Sequence, residues 1–285
     1  MKLINAILKN EALVAETDSY LTDYTAVHLW WLGQSGFLLQ WKGKRVLFDP
    51  YLSDSLTEKY ANTDKPHTRM SELVINPSLL QGIDVVTSSH NHTDHLDAST
   101  LIPVIANNPG IRFIIPEANR AFVADRIKCA IDFPVGLNDG QTVQIGEFSF
   151  HGIPAKHNTI DRDEHGNCRY MGYVLRFGDY SIYHSGDTLW FDELPELLRP
   201  FAIDLALLPI NGDKPERKVA GNLDHQEAVK LARLLGVKTL IPCHYDMFSF
   251  NTADVQDFVK AAEEAGQEYR VLRGGERYSF NLNKH

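Results

Sequence analysis

Residues 87–97 read T-S-S-H-N-H-T-D-H-L-D, and this stretch carries the strongest chemical signal in the chain. It places four donor side chains within six positions, at His90, His92, Asp94 and His95. The whole chain has 12 histidines among 285 residues, so a quarter of them lie in this one segment. Imidazole and carboxylate groups at such spacing are typical of sites for zinc and similar ions. We therefore predict a metal site here, against the alternative of a solvated, histidine-rich surface loop.

The position of the cluster indicates how its donors divide. The preceding residues I-D-V-V-T, at 83–87, have the pattern of a short buried strand, so the cluster begins where that strand ends. In an extended segment, side chains two residues apart point the same way, so His90 and His92 can reach one ion. If a helical turn follows, Asp94 and His95 face another side and can reach a second ion. The segment then offers donors to two ions but completes neither site.

The composition limits the class of protein. With 44% hydrophobic residues the chain can build a sizeable core, and its net charge of −9 argues against a general nucleic-acid binder. Three cysteines without short spacing favour reduced thiols and a cytoplasmic location over a disulfide framework. The N-terminus lacks the pattern of a signal peptide, and no window approaches about 18 apolar residues, so we expect no membrane span.

The hydrophobic pattern predicts one domain over residues 1–285. Short runs rich in β-branched and aromatic residues predict the strands. These lie at residues 26–32, 36–41, 44–48, 83–87, 111–115, 148–153, 173–177, 180–184, 204–209, 237–241 and 278–282. Strands cluster first and strand–helix units follow, which is compatible with two sheets packed face to face and helices outside.

Helical spacing of apolar residues predicts helices at 117–128, 225–235 and 253–265. Asp224 is the predicted N-cap of the second of these helices. Glu227 stands three residues later, at the position that completes a capping box.

Two further segments have less regular patterns. Ile4, Ile7 and Leu8 have helical spacing, which predicts an N-terminal helical extension within residues 1–25, packed on the rest of the chain; membrane association through this helix is the alternative. Residues 51–80 are rich in Ser, Thr, Asn and Pro. We predict a long surface loop with a short helix there, the kind of segment that shapes a pocket.

Three later residues have the chemistry needed to complete a metal site. Each follows a predicted strand: His157, Asp187 and His244. Loops at strand ends converge in layered α/β proteins while the sheet holds them rigid. We therefore expect these three side chains to join the cluster at 90–95.

The order of these residues resembles that of the metallo-β-lactamase-fold hydrolases. The motif H-x-H-x-D-H comes first, then a histidine, then a G-D turn and then a C-terminal histidine, and the match spans about residues 26–282. The resemblance implies an α+β fold, the four-layer αββα sandwich, with a dinuclear metal site at one edge of its two sheets. It also implies a division of the donors, with His90, His92 and His157 on one ion, Asp94, His95 and His244 on the other, and Asp187 between them.

Shorter motifs resemble one branch of that superfamily, the L-ascorbate-6-phosphate lactonases. They are H-L-W-W-L-G-Q-S-G-F at 28–37, S-I-Y-H-S-G-D-T at 181–188, L-L-P-I-N-G at 207–212 and I-P-C-H-Y-D-M-F at 241–248. The resemblance implies two divalent ions, zinc or manganese and alternatively iron, that hold a hydroxide between them. This hydroxide would open a small polar lactone or ester, with or without a phosphate group. Asp94 and Asp187 would be the catalytic carboxylates.

Other functions of the same fold stay open. The first alternative is a phosphodiesterase similar to the phospholipase D or nuclease branches, although the acidic net charge weakens the nuclease version. The second is a non-catalytic, metal-dependent sensor. Redox enzymes of this fold are disfavoured because they typically carry glutamate where His92 stands. We expect a small-molecule substrate and no nucleic acid, and the formation of a homo-oligomer is left open.

Residues near the predicted site are candidates for supporting roles. Asp49 follows a predicted strand and is predicted to orient a ligand histidine or its loop, against a simple turn role. His184 is predicted to support the site or face the substrate, with a structural role as the alternative. Cys243 precedes His244, but neighbouring residues at a strand end point to opposite sides, so we predict that Cys243 is buried and structural.

Residues for substrate binding are harder to choose. Tyr245 and Asp246 directly follow a predicted ligand, and each is a candidate either to support the site or to line the pocket. The loop at 211–218 contains three basic residues, Lys214, Arg217 and Lys218. They are predicted either to be solvated or to clamp an anionic group of the substrate.

Overall fold

The computed structural model describes residues 2–217 and 219–281. In chain order its strands are β1 (Val27–Gly33), β2 (Gly36–Trp41), β3 (Lys44–Phe48), β4 (Val85–Thr87), β5 (Arg112–Pro116), β6 (Val135–Leu137), β7 (Thr142–Ile145), β8 (Phe148–Pro154), β9 (Met171–Phe177), β10 (Tyr180–His184), β11 (Leu205–Pro209), β12 (Thr239–Cys243) and β13 (Arg277–Phe280). Its α-helices are α1 (Asn10–Ser19), α2 (Ser55–Tyr60), α3 (Ala98–Asn107), α4 (Arg120–Ile127), α5 (Leu194–Leu198), α6 (His225–Leu235) and α7 (Val255–Ala265). Every predicted strand is present, with ends shifted by at most two residues. The last predicted strand extends to Leu282, which lies outside the described residues.

The strands form two mixed sheets. The first has the order β13-β1-β2-β3-β4-β5-β6, and the second has the order β12-β11-β10-β9-β8-β7. In the first sheet β3 to β6 are parallel, and β13, β1, β2 and β3 are antiparallel neighbours. In the second sheet β10 to β12 are parallel, and β7 to β10 are antiparallel neighbours.

Side chains of the first sheet alternate between two apolar layers. Leu29 and Trp31 of β1 belong to the core between the sheets, whereas Trp30 and Leu32 belong to a second core on the outer face. Helices α1, α3 and α4 contribute buried residues to that outer core, and α6 and α7 pack on the second sheet. Because strand side chains alternate in direction, both faces of the first sheet are buried. The layers are helix, sheet, sheet and helix, so the predicted α+β class and αββα sandwich are confirmed.

Six of the strands that end at one edge of the sheets lead directly into the predicted site. Strands β1, β3 and β4 of the first sheet point the same way, because β1 and β3 are both antiparallel to β2 and β4 is parallel to β3. Strands β8, β10 and β12 of the second sheet also share one direction. The loops after these strands carry the polar side chains of the site, namely Gln34, Asp49, the cluster at 90–95, His157, Asp187 and His244.

The N-terminal helix is displaced from its predicted position, and the expectation of a helix through Ile4 and Ile7 is wrong. Ile4 forms a β-bridge with Ser71, and the N–H of Ile7 donates to the carbonyl of Gly274 at 2.8 Å. These backbone partners hold the segment extended, and α1 begins only at Asn10. Across the described parts of the chain, no helix has both the length and the apolar character to cross a membrane.

Helix α6 begins with the capping box predicted from the sequence. The side chain of Asp224 accepts the backbone N–H of Glu227 at 2.8 Å, and the carboxylate of Glu227 accepts the backbone N–H of Asp224 at 3.1 Å.

Asp224→Ala should lower the free energy of unfolding by about 1 kcal/mol, because a terminal N–H loses its acceptor. Urea denaturation measures this loss. Gln226→Ala, at an exposed position of the same turn, should change stability by less than about 0.5 kcal/mol, and equal losses in both variants would contradict the capping role.

Candidate metal centre and cleft

The structure brings all seven predicted metal donors together. One group of donor atoms comprises His90, His92, His157 and Asp187, and a second comprises Asp94, His95 and His244. Within each group the donor atoms lie within 4.8 Å of one another. The donors come from four loops, and the strands before those loops belong to both sheets. Strand ends therefore position every donor, as expected from the sequence.

In the first group, three imidazole rings converge. The rings of His90 and His92 lie 4.6 Å apart between centroids, and His157 Nε2 lies 3.2 Å from His92 Nδ1. His92 is the exposed member, whereas His90 and His157 are buried. The ring of Tyr170 packs beside these histidines, with its centroid 5.0 Å from that of His157.

Asp187 lies between the two groups. It is a member of the first group, yet its Oδ1 is 2.7 Å from His244 Nε2 and 3.2 Å from His95 Nε2, which both belong to the second. The turn before it requires Gly186, which has a φ of 58°. A Cβ at that glycine would lie 2.5 Å from the Cβ of Ser89. The glycine thus allows the turn to pass directly behind the histidine loop.

Protonation within the site follows burial and charge. Burial lowers the pKa of His90 well below its usual range and lowers that of His157 to about 4, so both rings are neutral near pH 7 and keep a lone pair. Burial also opposes a charge on His95, but the carboxylates of Asp187 and Asp94 raise its pKa well above the usual value. The negative charge that attracts a proton to His95 would equally attract a metal cation.

Asp49 orients His95, a member of the second donor group, through a hydrogen bond. It is fully buried, and its Oδ2 accepts from His95 Nδ1 at 2.8 Å and from the backbone N–H of Ser89 at 3.1 Å. Its Oδ1 accepts from the hydroxyl of Thr87 at 2.8 Å. Because Nδ1 of His95 donates to a carboxylate, Nε2 is the nitrogen that faces the donor cluster, and its lone pair would become available when a cation replaces the proton there.

Gln34 is a site residue that was not predicted from the sequence, because G-Q-S-G has the pattern of a simple turn. Gln34 is buried, and its side-chain amide donates to Asp94 Oδ2 at 2.8 Å and lies 3.1 Å from His244 Nδ1. Its backbone carbonyl accepts the N–H of His244 at 3.2 Å. Gln34, Asp49 and His244 all have positive φ, at 50°, 34° and 62°. Backbone strain of this kind is concentrated at functional sites. In the sequence, the feature that could have identified Gln34 as a site residue is a glutamine placed between two apolar strands.

Three predicted supporting residues lie behind the donors and not in the cleft. His184 is buried, donates from Nε2 to the carbonyl of Ser35 at 2.9 Å, and stacks on Phe48. Tyr245 is buried and donates to a backbone carbonyl. Asp246 borders a different, small cavity near the N-terminal segment. Neither Tyr245 nor Asp246 lines the cleft that opens onto the donors, because Tyr245 stacks on Trp31 within the core and Asp246 faces the other cavity. A role of these two residues in lining the substrate pocket is therefore wrong. The prediction that Cys243 is buried is confirmed.

The basic loop at 211–218 does not supply an anion clamp from Lys214 or Arg217. Lys214 is exposed, and neither residue belongs to the lining of the cleft. Arg217 donates to the backbone carbonyls of Asn211 and Thr252, each at 2.7 Å, so it fastens two loops together. Lys218 lies outside the described residues.

A cleft of about 480 Å³ opens onto the donors. Its floor contains His92, Asp94, His157, Asp187 and His244. Its walls come largely from the region at 51–80, which has the predicted short helix α2, and from the segment after β12. The volume suits a small molecule.

Comparison with known proteins places the chain in a family. A family profile described as the beta-lactamase superfamily domain matches residues 44–245. The fold and the donor cluster therefore define a beta-lactamase superfamily protein. A UPF0173 metal-dependent hydrolase of Archaeoglobus fulgidus is 32% identical over 260 residues, which cover 88% of this chain and 98% of that relative. The chain belongs to the UPF0173 metal-dependent hydrolase family.

Solved structures agree with the fold. Igni18, described as a novel metallo hydrolase from the hyperthermophilic archaeon Ignicoccus hospitalis, is 25% identical with a TM-score of 0.66, over 91% of this chain and 100% of that chain. An isothiocyanate hydrolase from Delia radicum gut bacteria has a TM-score of 0.70 at 18% identity, over 90% of this chain and 100% of that chain. The second similarity shows a shared fold alone. The lactonase-like branch stays a prediction.

Proposed function

We propose that this protein is a hydrolase that binds two divalent ions and opens a small polar ester or lactone. The observation that carries the proposal is the place of Asp187. Its Oδ1 lies 2.7 and 3.2 Å from Nε2 of His244 and His95, and the same residue groups with the three histidines of the other cluster. One carboxylate shared by two sets of donors is the arrangement that two adjacent ions need.

The chemistry of the donors fits such ions. Nε2 of His90 and Nδ1 of His157 are buried and have no hydrogen-bond partner among the described residues. A buried polar atom without a partner is costly, so a group that accepts these lone pairs would stabilise the site. Both clusters consist of imidazole nitrogens and carboxylate oxygens. Donors of this type suit zinc, manganese or iron.

The chain's own residues would position the substrate and move a proton. When bound, two divalent ions would lower the pKa of a water molecule and polarise the substrate carbonyl. Asp94 lines the cleft, and its Oδ2 is held by the amide of Gln34. Burial opposes its ionisation, but the charges of neighbouring imidazoles, His95 first, lower its pKa, so it is a carboxylate near neutral pH. Asp94 is therefore placed to accept a proton from a nucleophile in the cleft.

Metal removal tests the proposal. The purified protein should contain close to two divalent ions per chain, and dialysis against a chelator should abolish hydrolysis of lactones and esters, because the donors then have no ion to hold. Addition of zinc or manganese should restore the activity. The substrate screen should include sugar-phosphate lactones and bis-p-nitrophenyl phosphate. Hydrolysis that survives chelation would refute the proposal, and hydrolysis of the diester alone would replace it with the phosphodiesterase alternative.

A further inference from the structure

Two distant segments of the chain form a wall of the cleft, which we call the cap: residues 54–70 and 247–251. A β-bridge joins Arg69 to Phe248, and backbone hydrogen bonds on both sides of the bridge hold the two segments together. The guanidinium of Arg69 also donates to Asp54 at 2.6 Å. Leu56, Met247 and Phe248 of the cap pack with Tyr51 in one small buried apolar cluster. Hydrogen bonds and apolar packing therefore hold the two segments of the cap together.

The cap presents aromatic surface to the cleft. His67 stacks on Tyr60 with ring centroids 4.3 Å apart, and it meets Phe250 edge-on at 4.4 Å. Nδ1 of His67 donates to the carbonyl of Lys65 at 2.9 Å, which fixes the plane of the ring. These rings and Phe248 line the cleft. Such a surface favours a planar or apolar group over a strongly hydrated one.

The side chains that line the cleft include three basic residues and two carboxylates. Lys59, Lys65 and Arg126 line it, and among the described lining residues the carboxylates are Asp94 and Asp187, which are both candidate metal ligands. Two divalent ions would more than neutralise those two carboxylates. The whole chain has a net charge of −9, so this local excess of positive charge differs from the rest of the molecule. A cleft of this kind attracts anions.

We propose that the cleft selects a substrate with a carboxylate or phosphate group attached to a planar apolar body. Lys59 and Lys65 of the cap bind the negative group, and the rings of the cap pack against the body. Hydrolysis of this substrate rests on the proposed function, whereas binding of its negative group and planar body by the cap does not. Arg126 is left out of the test because its Nη1 donates to the carbonyl of Asn91 at 2.6 Å and so holds the loop of metal donors.

Two esters of nearly equal shape test the selectivity. 4-Acetoxybenzoate carries a negative charge, and 4-acetoxybenzamide is its neutral counterpart. The metal-loaded protein should have the higher kcat/KM for the anion. In the double variant Lys59→Gln/Lys65→Gln, the ratio of the two kcat/KM values should fall roughly fivefold, chiefly through KM, because each partly exposed charge contributes a factor of a few. Lys260→Gln, at an exposed position of α7, should keep the ratio, and an unchanged ratio in the double variant overturns the inference.

Binding without turnover separates this inference from the proposed function. Isothermal titration with benzoate and benzamide should show tighter binding of benzoate, and the double variant should lose about fivefold in benzoate affinity. This loss should shrink in about 0.5 M salt, since screening weakens exposed charges. Selective benzoate binding by a protein that hydrolyses neither these two esters nor the lactones and esters of the substrate screen would refute the proposed function alone. Equal benzoate affinity in the wild type and the double variant would refute the inference alone.

Discussion

Replacing Asp187 with asparagine should deplete both metal positions at once, lowering the metal content from about two ions per chain to below one. Asp187 groups with His90, His92 and His157 and also contacts His95 and His244, so under the proposed function one substitution would remove a donor from both sets. Burial opposes its ionisation, yet the charges of His244 and His95 hold its pKa well below the usual range. The amide lacks this negative charge. Activity should fall by more than the roughly 10–100-fold that loss of an outer partner causes, as measured by elemental analysis and ester hydrolysis.

Two histidine variants provide the matched controls for Asp187→Asn. His92→Ala removes a donor from the first group only, and His244→Ala removes one from the second group only. Each should cost about one ion per chain and leave the other in place. If Asp187→Asn also lost a single ion and kept the second at full occupancy, the carboxylate would not be shared. Circular dichroism of the metal-free proteins would establish that each variant is folded, so that metal loss reports on the site.

The candidate metal donors could be proposed from the sequence because they follow strands with a strong local pattern. The short run V-V-T forms β4 and has the pattern of a buried strand, and the cluster at 90–95 begins within a few residues of its end. The topology then brings the strand ends to one edge. Chemistry and local periodicity were sufficient for this part of the site.

Other elements were missed for identifiable reasons. Helix α3 contains Pro103, which normally argues against a helix interior, but tertiary burial of Leu101 and Val104 holds the helix in place. Strand β7 is a short edge strand whose residues are exposed or half-buried, so it lacks an apolar run. Both elements are stabilised by packing against residues that are distant in the chain, and a local sequence pattern carries no information about such contacts.

The substrate side of the site could not be predicted for the same physical reason. Arg217 lies in a basic loop that suggests anion binding, yet its guanidinium is used by backbone carbonyls of a segment 35 residues away. The basic residues that line the cleft are instead Arg126 of α4 and two lysines, Lys59 and Lys65, in a stretch with little periodic pattern. The segment that carries the two lysines is joined to the chain after β12 by the bridge between Arg69 and Phe248, a contact between residues far apart in the sequence.

Asp49→Asn should weaken metal binding at the second group by roughly 10–100-fold, the range found when a carboxylate partner of a ligand histidine is lost. Asp49 accepts from His95 Nδ1 at 2.8 Å, so it fixes the tautomer that keeps Nε2 available. Burial opposes its ionisation, but the hydrogen bond from His95 and the charges of His184 and His95 lower its pKa. The amide provides no negative charge to strengthen His95 as a donor. Titration of the metal-free protein against a fluorescent chelator measures the affinity of each position.

The natural control is Asp204→Asn, because Asp204 is also a buried carboxylate but lies before β11, at the edge opposite the donors. Asp204 is 7% exposed, accepts the N–H of Ser181 at 2.9 Å and pairs with Lys238. Its replacement should lower stability without changing metal affinity, since it contacts no candidate ligand. A similar loss of metal affinity in both variants would mean that Asp49 acts through general stability. Wild-type affinity in Asp49→Asn would mean that the backbone of the loop alone orients His95, and that the contact with Asp49 is incidental to metal binding.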